Sequence, residues 1–304
     1  MLLVNTGRDM DKNRLTGHIL AGFTILIWGT TFIASKVLLK YYSAAVLMTM
    51  RFIIAWLVLF LMRPKFIRIP LKDELKILAC GVLSSSLYFA FETNALRFTL
   101  ASNVSIIVAA APILTSILAH FFTKDEKFHK NLLFGFLIAF TGVALVVFNG
   151  TVILKLEPTG DILSFFAALS WAGYSIVAKP LLKKYDILLL TRRIMFFGLI
   201  TALPLLLLEK QPFSLVPLGQ AENLIALAFL GVLGSGICYY TWNLAASRLG
   251  AVATNTYIYA NPFITMLAAW ILLNEKISLM GALGAILIIL GVFLSGRIKK
   301  EIHT

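Results

Sequence analysis

Charge is what this sequence has least of. Acidic and basic side chains make up 13% of its 304 residues, about half the share of an ordinary soluble domain. Cysteine is nearly missing too. Cys80 and Cys238 both fall inside apolar runs and have no metal-ligand spacing, which excludes a disulfide framework and a thiolate metal site. As small buried hydrophobes they need no further role. The four histidines, His18, His120, His129 and His303, lie at the ends of apolar runs or in the tails. There is no His-Glu-x-x-His and no glycine-rich loop ending in Lys-Ser/Thr, so metalloprotease and ATPase chemistry lack their residues. No enzyme activity, cofactor or metal is expected.

Apolar residues take the place of charge. They make up 60% of the chain, with a mean hydropathy of +0.90, against roughly 45–50% apolar in a soluble domain. A fold of this length cannot hide that much apolar surface from water, so the expected solvent is lipid. The net charge of +13 would otherwise suggest nucleic acid. Here the basic residues sit between apolar runs rather than on one face, which is the pattern of membrane topology. No nucleic-acid partner is expected. Met1 to Gly17 carries both charge signs, and the apolar run after it is too long for a signal-peptide core.

Runs of about 20 apolar residues mark membrane-crossing helices. Ten occur, at 16–36, 43–62, 75–97, 100–123, 131–149, 160–182, 187–208, 221–247, 251–273 and 278–296. With the N-terminus in the cytoplasm, twenty Lys and Arg fall on the cytoplasmic side and six outside, with Arg51 inside a span. That asymmetry places both termini, 1–15 and 297–304, in the cytoplasm.

The chain also repeats itself. Gly81-Val82-Leu83, Ser85, Ala95, Ala101, Pro112 and Thr115 recur 150 residues later as Gly231-Val232-Leu233, Ser235, Ala245, Ala251, Pro262 and Thr265. Trp28, Ile33, Lys36 and Tyr42 recur as Trp171, Ile176, Lys179 and Tyr185. Gly135 and Gly142 recur as Gly284 and Gly291. The halves, 16–150 and 160–296, thus hold five spans each. Five is odd, so the second half should enter the membrane from the opposite side. The expected fold is all-α and integral to the membrane: ten transmembrane helices as two inverted five-helix repeats around a central cavity.

These paired residues resemble the EamA-type members of the drug/metabolite transporter superfamily over nearly the whole chain, from Gly17 to Gly296. The resemblance rests on Trp28-Gly29 with Lys36 and Arg51, Ala95 to Pro112, and Glu126 with Gly135 and Gly142. The second copy supplies Trp171, Lys179, Pro262, Glu275, Gly284 and Gly291. The chain departs from the family at Ser43-Ala44, where a proline is frequent, and at Asp125 and Asn274, where glycine often precedes the hairpin glutamate. The resemblance implies a cavity lined by spans 1, 3, 4, 6, 8 and 9, and export of amino acids or other small metabolites.

Glu92 is the most informative single residue. It lies about three turns beyond Gly81 and shares a helix face with Ser85 and Tyr88. A carboxylate at that depth costs at least ~2.5 kcal/mol facing lipid, so it belongs in the interior or in a water-filled cavity. It can bind a cationic group, carry a coupling proton, or hold the fold through a hydrogen bond. Arg51 reads either as a partner for such a carboxylate or as a side chain snorkelling to the interface. Pro112 and Pro262 each remove a backbone hydrogen bond and break their helices. Broken helices at a repeat interface let backbone approach a ligand, and Asn103, Asn255 and Asn261 flank them. Trp28, Tyr88, Trp171, Tyr174, Tyr239, Trp242 and Tyr259 complete a mixed aromatic and polar lining for an amphipathic solute.

The sequence therefore predicts a secondary or facilitative transporter in the cytoplasmic (inner) membrane, a monomer or homodimer. Its partners are a small-molecule substrate, membrane lipid and protons. An importer of a nucleobase, vitamin or sugar conjugate, and a non-transporting scaffold or sensor, are the alternatives.

Overall fold

The computed structural model describes residues 5–98, 104, 107–123, 125, 130–148, 157–207, 214–273 and 278–296. Every regular element among them is helical. The first half runs α1 (Asn5–Leu38), α2 (Ala44–Met62), α3 (Leu71–Gly81), a π-helical stretch (Val82–Leu87), α4 (Tyr88–Phe98), α5 (Ala111–Phe122) and α6 (Lys130–Phe148). The second half begins with α7 (Pro158–Lys184), α8 (Ile187–Leu207), a 3-10 turn (Val216–Gly219) and α9 (Ala221–Ala228). It continues through a π-helical stretch (Phe229–Ile237), α10 (Cys238–Leu249), α11 (Ala251–Asn255), a 3-10 stretch (Thr256–Ala260), α12 (Asn261–Leu273) and α13 (Leu279–Gly296). Since α3–α4, α9–α10 and α11–α12 each form one interrupted helix, ten helices stand among the described residues. Six of them (α1, α2, α3–α4, α7, α8 and α9–α10) are long and apolar enough to cross a membrane, and α5, α6 and α13 are shorter apolar helices.

Local chemistry sets the ends of these helices. Ser43 caps α2 by accepting the Val46 amide. Asp73 and Glu74 sit in the first turn of α3, where the helix dipole favours anions. Pro158 opens α7, and Pro112 and Pro262 lie in the first turns of α5 and α12. There a missing amide costs nothing. The expected break in span 9 is thus a 3-10 stretch followed by a fresh start at Asn261. In the fourth span a turn at Ala109-Ala110 precedes α5. At Gly250, φ is 89°, a left-handed conformation open to glycine, and it ends α10 directly before α11. α1 spans Asn5–Leu38 and so includes residues ahead of the expected span start at 16.

The two halves interlock reciprocally. α1 packs on α10 and α12, while α7, its counterpart, packs on α4 and α5. α2 lies against α8 and the second π-helical stretch, and α8 lies against α2 and the first. α6 and α13 form a seam of their own. A Cβ on Gly142 would come within 2.5 Å of the Gly284 carbonyl, and one on Gly284 within 2.6 Å of the Gly142 carbonyl. Gly291 meets the Ala139 amide in the same way, at 2.5 Å. Backbones that close exclude any side chain, which is how small residues join helices in lipid.

Candidate functional site

The centre of the bundle is built from aromatic rings contributed by both halves. Trp28 of α1 lies 5.6 Å from Trp171 of α7, 5.6 Å from Tyr239 and 5.1 Å from Trp242 of α10, centroid to centroid. Trp171 also meets Tyr88 of α4 at 5.7 Å and Tyr174 at 5.3 Å. Most of these contacts are edge-on or tilted, the arrangement that matches positive ring edges to negative faces. Trp171, Tyr174, Tyr239 and Trp242 are buried.

Polar groups on the rings are tied down individually. Trp171 Nε1 donates to Asn255 Oδ1 at 2.9 Å, and Asn255 Nδ2 donates to Ser175 Oγ at 3.0 Å and to the Ala251 carbonyl. Tyr174 Oη donates to Asn243 Oδ1 at 2.6 Å, and Asn243 Nδ2 donates to Thr191 Oγ1 at 3.0 Å. Three further bonds go to the π-helical stretches. Trp28 Nε1 donates to the Gly234 carbonyl at 2.8 Å, Ser170 Oγ to the Leu83 carbonyl at 2.8 Å, and Tyr239 Oη to the Ser84 carbonyl at 3.4 Å. A π-helix widens the turn and disturbs the usual i to i−4 pairing, so its carbonyls can take bonds from outside. Small residues, Ser84–Ser86 and Gly231, Gly234 and Gly236, allow neighbouring helices to come in against these stretches.

Two charges reach this centre. Tyr88 Oη donates to Glu92 Oε1 at 3.0 Å, across one turn of α4. Arg51 of α2 donates through Nε to Ser235 Oγ at 3.1 Å, beside the glycine that holds Trp28. At this centre the rings of the two halves pack against one another. Beside them, Tyr174, Ser175, Trp242, Asn243 and Asn255 help to line a void of about 10 Å³, room for roughly one water.

Tyr259 stands apart from this cluster. It is buried in a separate apolar group with Ala109, Ala139, Val143, Val146 and Ile288. The interrupted helix turns it toward α6 and α13 instead. Asn261 places a buried Oδ1 that finds no hydrogen-bond partner among the described residues. Pro112 and Pro262 mark where α5 and α12 begin, and Thr265 Oγ1, one turn beyond Pro262, donates to the Gly29 carbonyl at 2.9 Å. Asn103 lies outside the described residues.

The sequence matches the EamA-like transporter family over residues 15–148 and again over 158–297. The chain belongs to the EamA-like transporter family. This family is part of the drug/metabolite transporter superfamily, and the chain is a multi-pass membrane protein. It is 30% identical over 285 residues to an uncharacterized transporter of Archaeoglobus fulgidus, covering 91% of this chain and 96% of that one. It is 27% identical over 276 residues to a probable terminal-alkyne amino-acid exporter of Streptantibioticus cattleyicolor, covering 90% and 91%. A solved crystal structure shares the fold, with a TM-score of 0.77 at 19% identity over 92% of this chain and 98% of that one.

Within this EamA-like transporter, three polar residues bear on the centre that sequence reasoning did not single out. Ser175 lies one turn after Trp171 and shares its partner Asn255. Asn243 follows Trp242 and lies one turn after Tyr239, spacing that was visible in the sequence. Ser235 stands in the sequence as a repeated residue, but nothing in its surroundings names Arg51 as its partner. Lys179, paired in the sequence with Lys36 as a span end, donates to Asp125 at 2.5 Å.

Proposed function

We propose that this EamA-like transporter exports amino acids or related small metabolites across the cytoplasmic membrane by alternating access. In this reading the two five-helix halves thread the bilayer in opposite senses, with both termini in the cytoplasm. The exchange of contacts between halves, α1 with α10 and α12 against α7 with α4 and α5, supports that arrangement. The observation that carries the proposal is Glu92: an ionisable side chain hydrogen-bonded to Tyr88, a member of a ring cluster to which both halves contribute. Intramembrane carboxylates mark substrate or proton pathways. The printed name of the Streptantibioticus cattleyicolor relative supports export of an amino-acid-like solute.

The reading is tested by reconstituting the chain into liposomes with a mixed amino-acid load and an imposed pH gradient. Efflux that depends on the protein and on the gradient is expected, with Glu92→Gln removing the gradient dependence. Gradient dependence that survives the substitution takes the proton-carrier role from Glu92. Flux of a nucleobase, vitamin or sugar conjugate instead points to the importer reading, and no flux of any solute leaves only a scaffold or sensor.

A further inference from the structure

We propose that Arg51 and Glu92 together select solutes that carry an ammonium and a carboxylate at once, with Arg51 as the anchor for the carboxylate. The inference rests on the transport reading above and adds the residue that reads the anionic end. Each of the two charges is tied to the same aromatic patch, through a different partner. Arg51 Nε bonds Ser235, and its guanidinium reaches over the bare backbone of Gly234, where an added Cβ would lie 3.8 Å from Nη2. Gly234 in turn holds Trp28 through its carbonyl. From Trp28 the rings run through Trp171 to Tyr88, whose hydroxyl holds Glu92. Tyr239, against both tryptophans, lies within the electrostatic field of both charges.

The two groups also act on each other electrostatically, yet among the described residues no ion pair joins them. Each is held back by a neutral hydroxyl, Ser235 for the cation and Tyr88 for the anion. Opposite charges away from bulk water gain by closing on one another. A zwitterion placed between them satisfies both at once: its carboxylate can take two parallel N–H bonds from the guanidinium. Its ammonium lies between Glu92 and the faces of the rings, where cations are favoured. A simple amine answers Glu92 alone and a simple acid answers Arg51 alone, and a site built to bond both ends of a solute discriminates against one that lacks either.

The test is counterflow of three labelled probes through the reconstituted full chain: L-phenylalanine, 2-phenylethylamine and 3-phenylpropionate, which share a ring and differ in charge. The wild type should carry phenylalanine at least tenfold faster than either of the others. Arg51→Gln should lower the phenylalanine-to-phenylethylamine ratio at least tenfold, and Arg51→Lys should restore part of it. Glu92→Gln should lower the phenylalanine-to-phenylpropionate ratio. Equal losses for all probes in Arg51→Gln would make the arginine merely structural and overturn the proposal. So would a wild type that ignores these probes while moving other solutes. A chain that moves no solute at all fails the transport reading itself.

Discussion

At the end of the molecule where α3, α7 and α8 meet, charged side chains bridge the two halves. At the end where α1, α2 and α9 meet, the bridging is apolar, and α2 runs the distance between the two. At the first end Asp73 accepts from Lys184 at 2.5 Å and from Tyr185 at 2.6 Å. Asp125 pairs with Lys179 and Lys183, Glu74 with Arg193, and Arg63 with Asp186. Arg192 donates to the carbonyls of Arg63 and Lys65. Each of these bonds joins a residue of the first half to one of the second. At the other end Leu38, Tyr42, Val46 and Leu47 pack on Ala226, Leu227 and Leu230, and Tyr42 Oη donates to the Ser214 carbonyl. The two contacts therefore answer to different variables. Apolar packing is not screened by salt, whereas ion pairs weaken, the exposed ones most, as the screening length falls from about 10 Å at 0.1 M to about 3 Å at 1 M.

Three substitutions sharpen this contrast. Leu230→Ala, at a fully buried position, should cost the most, about 2–5 kcal/mol. Thermal melting in detergent should show that loss equally at low and high salt. Glu74→Gln should cost less, about 1.5–3 kcal/mol for a charge-assisted bond to Arg193. The gap in melting temperature to the wild type should narrow in part as salt rises, the pair being only partly exposed. A loss that salt leaves unchanged would place Glu74 with the packing, not with the ion pairs.

Asp125→Asn should cost least. Its carboxylate is half exposed, and pairs of that kind are worth below about 1 kcal/mol. Hydrogen bonds from Lys179 and Lys183 hold the Asp125 carboxyl well below the usual carboxylate range. Its contribution is therefore complete above the unfolded value of 3.8 and is withdrawn only as pH falls below it. The melting difference between wild type and Asp125→Asn should be constant from pH 7 to about 5 and shrink below about 4. A difference that grows on acidification would contradict the pairing.

Much of the architecture could be read from the sequence because lipid imposes a simple rule on it. Apolar runs of the right length become helices, and Pro112 and Pro262 stand where new helices begin. Trp28 and Trp171, matched at a fixed spacing, meet ring to ring. The heptad-spaced glycines of α6 and α13 meet backbone to backbone. What could not be read depends on which faces the neighbours present. Tyr259 follows Asn255 by four residues, yet it lies in the 3-10 stretch, which packs it away from the rings. The π-helical stretches are marked in sequence only by serines and glycines, which are common in any membrane helix. Arg51 could be placed in a span, but its partner lies 184 positions along the chain.

One consequence of the second π-helical stretch concerns length rather than chemistry. A wide turn carries surplus residues, so the run from Phe229 to Ile237 sets the angular phase of everything after it. Losing a single residue there would swing Cys238–Leu249 by about 100° around its own axis. Trp242, Asn243 and Tyr239 would then face different neighbours with no side chain altered. In this helix the number of residues is as much a determinant of the ring cluster as their identity.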